Sequence, residues 1–76
     1  MVEFLVITDM NTYDEDIGYC GLSEIEAYKI YKSLKLRHRR VNIVKAKVEK
    51  ILIRNIEFIN NYKIIEIIKW IHLKVI

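Results

Sequence analysis

Ile51-Leu52-Ile53-Arg54-Asn55-Ile56-Glu57-Phe58-Ile59-Asn60-Asn61-Tyr62-Lys63-Ile64-Ile65-Glu66-Ile67-Ile68-Lys69-Trp70-Ile71-His72-Leu73-Lys74-Val75-Ile76 is the stretch whose reading decides this fold. Wound as a helix, it places Ile51, Leu52, Ile56 and Ile59 on one face. Ile64, Ile68, Ile71 and Val75 then fall on another face about half a turn away. One straight helix would therefore carry apolar stripes on opposite sides, so a break is expected at Asn60-Asn61. Asn61 would cap a final helix Tyr62–Lys74, with Lys63, Glu66, Trp70 and Lys74 on its polar arc. The competing reading is a β-hairpin turning at Asn60-Asn61, because Asn tolerates the left-handed backbone of a tight turn. The isoleucines favour the hairpin and the phase of residues 62–75 favours the helix. The expectation adopted is an Ile-rich helical tail broken near Asn60-Asn61.

Upstream of that stretch the signals are stronger. Val2 to Thr8 is β-branched and aromatic, too short for a helix, and reads as a buried strand over residues 2–8. Asp9 to Asp16 is a polar loop, and residues 17–20 form a short second strand beside the first. Ser23 with Glu26 makes the Ser-x-x-Glu capping box of a helix over residues 23–36. Glu24 and Glu26 suit the positive end of its dipole, and Lys32, Lys35 and Arg37 the negative end. Ile25, Ala27, Tyr28, Tyr31, Leu34 and Leu36 give this helix its expected core face. In Val41–Glu49 the apolar Val44, Ala46 and Val48 alternate with Lys45, Lys47 and Glu49, as in a strand with one wet face. A helix also fits these residues, but β-branching favours the strand. The predicted fold is α+β: a β(β)αβ unit with strands at about 2–8, 17–20 and 41–49, followed by the helical tail.

Residues 1–76 are expected to form a single small domain. Hydrophobic residues make up 53% of the chain, proline is absent, and glycine occurs only at Gly18 and Gly21. That composition supports a core and regular elements rather than disorder. A core this small rarely supplies more than about 3–5 kcal/mol, so self-association or a stable partner is an expectation. The single Cys20 excludes an intrachain disulfide and suits a reducing cytoplasm. Met-Val-Glu-Phe has no basic region of a signal peptide. Arg54, Glu57, Lys63, Glu66, Lys69 and Lys74 interrupt the apolar tail, which excludes a transmembrane helix of about 20 uncharged residues and points away from the membrane.

Charge is sorted along the chain. Met1 to Tyr31 carries seven carboxylates and one lysine, whereas Lys32 to Ile76 carries twelve cations and three glutamates, beneath a formal net charge of only +3. Such a split speaks to what the surface attracts. Two patches stand out: an acidic one at Asp14, Glu15 and Asp16, and a basic one at Arg37, His38, Arg39 and Arg40 with Lys45 and Lys47. The acidic loop fails as an EF-hand, since Gly18 is fifth rather than sixth from Asp14 and Ile25 occupies the twelfth position. Cys20 has neither His38 nor His72 placed beside it by sequence, so it reads as a buried thiol and not a nucleophile. One cysteine and two distant histidines fall short of a zinc site. No catalytic residue, metal ligand or cofactor is expected.

What this composition suggests is a non-enzymatic interaction module. It would bind a protein or ribonucleoprotein partner through its charged patches, with Trp70 an interface aromatic. Its small size and Ile-Lys-Asn-rich, AT-rich flavour suit an accessory protein of a phage or other mobile element that inhibits a host defence system. The alternative is a small nucleic-acid-binding protein using the Arg37–Arg40 turn. Tyr13, Tyr19, Tyr28 and Tyr31 would be its candidates for base stacking.

Overall fold

The computed structural model describes residues 1–68. Its elements are β1 (Val2–Thr8), β2 (Asp16–Gly21), α1 (Glu24–Lys35), β3 (Val41–Ile53) and β4 (Ile56–Ile68). The strands form one antiparallel sheet in the order β2-β1-β3-β4, and α1 packs on one face. Ser23 caps α1 as its spacing predicts, its Oγ accepting from the Glu26 amide at 3.1 Å. The helix lies flattest at Ala27, which is fully buried over Val6, Val41 and Ile43. Ile25 and Leu36, placed on the core face by their spacing, are instead 70% and 86% exposed; Ile30 packs inward.

Among the described residues the Ile-rich helical tail is not formed. Residues 56–68 are a strand, and β3 runs to Ile53, four residues beyond the expected strand end at Glu49. The hairpin turns at Arg54-Asn55, both in the left-handed region at φ 52° and 66°, rather than at Asn60-Asn61. Asn60 is an extra residue between the Glu49–Asn61 and Lys50–Ile59 pairs, a bulge inside β4, and Ile65 is a second one. The physical reason is pairing. Eleven residues of β3, Ile43 to Ile53, pair with β4 and bring isoleucines into cross-strand contact, which outweighs the helical phase of an isolated segment. The last part of the expected helix, including Trp70, lies outside the described residues.

Bulges also curl the sheet. On the face away from α1, Leu5, Ile7, Val44 and Ala46 are fully buried although no helix covers them. Met10, Ile17 and Cys20 close over them from one side, and Ile59, Tyr62 and Ile64 from the other. The β1–β2 mismatch leaves Gly18 as the extra residue beneath α1. A Cβ there would stand 2.6 Å from Leu34 Cδ1, so glycine is what lets the helix sit down on β2.

Candidate interaction surfaces

The end of α1 and the start of β3 gather three cations. Leu34 O accepts from the amides of Arg37 and His38 at 3.0 and 2.9 Å, which closes the helix and turns the chain. Lys35 Nζ donates to Arg39 O at 2.7 Å, and Arg40 O accepts from the Asp9 amide at 2.9 Å. The turn is thereby pinned to both α1 and the loop after β1. Between them opens a cleft of about 680 Å³ lined by Met10, Tyr31, Lys35, Arg39, Arg40, Val41 and Asn42. None of these is acidic, and the apolar floor of Met10, Tyr31 and Val41 keeps the field of the cations from being dissipated in water.

The rest of the basic patch is placed elsewhere. Arg37 is exposed and His38 half-buried, but neither lines the cleft. Lys45 lies 5.8 Å from the centre of the Phe4 ring, a cation–π contact, and pairs in register with Glu66. Lys47 pairs with Lys63. Lys45 and Lys47 do share one sheet face, as their alternation indicates, yet they form a separate group. Of the tyrosines, Tyr28 and Tyr31 stack on each other with centroids 6.5 Å apart and pack on the core.

The acidic loop is largely committed to holding the fold together. Glu15 Oε1 accepts from the Asn11 amide at 2.8 Å, and Glu15 Oε2 accepts from the Tyr62 hydroxyl at 2.8 Å, tying the loop to β4. Asp16 Oδ1 accepts from the Ile17 amide at 2.8 Å. Asp14 is exposed, its amide donating to Thr12 Oγ1 at 3.2 Å. Among the described residues no group of three or more His, Cys, Asp and Glu is arranged to hold a metal ion. No helix among them is long and apolar enough to cross a membrane.

A polar cluster that sequence reasoning missed lies on the curled face. Glu3 is 4% exposed, and its Oε1 accepts from Lys50 Nζ at 3.1 Å and from Cys20 Sγ at 3.4 Å. Lys50 also reaches Glu57 at 4.0 Å. The available signal was Glu3 itself: on a strand whose Leu5 and Ile7 face inward, alternation puts its carboxylate inward too. A buried carboxylate requires a cation. Burial, then the Glu3 hydrogen bond and charge, push the Cys20 thiol up to about 11. Burial and Glu15 push the Tyr62 hydroxyl up to about 12. Both groups are held neutral, so the stability they lend is complete below their unfolded values near 9 and 10 and disappears as pH rises through 11 to 12. Since the thiolate is the nucleophile, iodoacetamide should modify Cys20 at pH 8 about a hundredfold more slowly in the folded chain than in urea. Equal rates would show that burial and Glu3 do not hold the thiol neutral.

The scan against protein families matches no family model, and no curated protein or solved structure matches the chain.

Proposed function

We propose that the chain is a non-enzymatic interaction module that binds an acidic segment of a protein or ribonucleoprotein partner. The observation that carries this reading is the convergence of Lys35, Arg39 and Arg40 on one cleft with an apolar floor and no acidic lining residue. Arginine suits such a site, because its planar fork pairs with carboxylates in two parallel hydrogen bonds. Direct nucleic-acid binding is the second reading and rests on the same cations. A polynucleotide calls for charges spaced along a track of phosphates, whereas here Lys45 and Lys47 stand apart from the cleft. A cytoplasmic setting, and service to a phage or mobile element against a host defence system, belong to this proposal on composition alone.

Poly-glutamate and single-stranded oligonucleotides are suitable defined probes. Poly-glutamate should bind, and Arg39→Glu with Arg40→Glu should abolish that binding while Asp14→Asn leaves it intact. Oligonucleotide binding tighter than that of poly-glutamate, falling steeply as salt is raised, would instead favour the second reading. Poly-glutamate binding that is indifferent to the arginine pair would remove the cleft from the function.

A further inference from the structure

The β3–β4 hairpin extends past the body of the sheet. β1 pairs with β3 only as far as Val2–Lys47, and the Val48 amide donates to Met1 O at 3.1 Å. Beyond that, residues 49–53 pair with β4 alone, an arm reaching about 15 Å at roughly 3.3 Å per residue. Its register couples Ile51 with Phe58 and Ile53 with Ile56, so these four side chains share one face. They are 41%, 48%, 51% and 58% exposed respectively. Two-stranded ribbons are marginal in water by themselves, and a contiguous apolar patch of this kind marks an interaction site.

Charge order along that face selects the occupant. From body to tip the rows are Glu49 with Asn61, Ile51 with Phe58, and Ile53 with Ile56, ending at Arg54-Asn55. The order is self-complementary. When two arms lie face to face and antiparallel about a two-fold axis, Ile51 and Phe58 of one cover Ile53 and Ile56 of the other. Glu49 of each then stands over Arg54 of its partner. Among the described residues neither Glu49 nor Arg54 takes part in an ion pair within the chain. We infer that the arm is a homodimerisation element, joining two copies through this isologous apolar face with a Glu49–Arg54 pair at each end. The patch lies below the area of a standard stable interface, so the dimer is concentration-dependent.

Sedimentation velocity of the full chain over a wide concentration range tests this. The wild type should pass from monomer to dimer, and Ile53→Lys with Ile56→Lys should remain monomeric at every concentration. Glu49→Arg should weaken the dimer about tenfold by setting two like charges together, and Glu49→Arg with Arg54→Glu should restore it. The charge variants are exposed substitutions, so the swap stays readable even if the lysine variant fails to fold. A wild-type monomer throughout would overturn the inference, as would a dimer indifferent to the arm. So would a monomer whose arm is buried only by anionic phosphatidylserine vesicles. Arg39→Glu with Arg40→Glu should leave the dimer unchanged, which separates this result from the fate of the cleft.

Discussion

Leu5→Ala is expected to lower the unfolding free energy by about 2–5 kcal/mol, comparable to everything a core of this size supplies. Leu5 is fully buried at the centre of the curled face, paired with Cys20 on β2 and Val44 on β3. Hydrogen-bonded strands on both sides fix its backbone, so the surroundings cannot collapse into the space left by the missing methyls, and the cavity cost adds to the lost transfer energy. Each kcal/mol moves the midpoint of so small a domain by about 4–8 °C. Thermal and urea unfolding followed by circular dichroism should therefore show a large part of the variant unfolded near room temperature. Leu22→Ala is the control, because Leu22 is 67% exposed and should change stability by less than about 0.5 kcal/mol. A small effect at Leu5 would mean that this face is not the closed core described above.

The front half of the chain was readable because its local and tertiary signals agree. β1 falls on the residues indicated by β-branching, and Ser23 caps α1 one residue before Glu24. The tail misled because its local pattern and its pairing disagree. Two bulges, at Asn60 and Ile65, shift the alternation of β4 twice, which erases the period of two and leaves spacings that imitate a helix. The tight turn was equally hidden. Left-handed pairs usually announce themselves as Asn-Gly, whereas here Arg54 occupies the first position and only Asn55 carries the expected chemistry. Charge counting grouped Arg39 and Arg40 with Lys45 and Lys47, but the fold separates them: the arginines line the cleft at the start of β3, whereas the lysines lie further along that strand. Glu15 shows the opposite limit: a carboxylate that looks like a free patch in sequence is used up by Tyr62, forty-seven positions away.

Lys50→Met is the second substitution expected to have a large effect, and its size depends on Glu3. With Lys50 present, the Glu3 carboxylate is inside the fold with a cation and a thiol donating to it. Without Lys50 the charge is stranded at 4% exposure with only the Cys20 thiol donating to it, and removing the cation from one side of such a pair is destabilising. Glu3→Met alone should cost much less, because Lys50 is 30% exposed and keeps both water and Glu57 within reach. The double variant should return close to wild-type stability, since apolar groups of similar volume often replace a buried ion pair without loss. Urea unfolding of the four proteins closes this cycle, and additive single effects would show that the two side chains do not interact. The cluster also joins all four strands: Glu3 on β1, Cys20 on β2, Lys50 on β3 and Glu57 on β4. Its position at the root of the hairpin makes it the anchor of the arm, so amide exchange over residues 49–60 should accelerate in Lys50→Met more than exchange in β1. If the arm is what meets a second copy, the same substitution should weaken the dimer without touching its apolar face, linking a buried pair to an exposed interface through the stiffness of the ribbon between them.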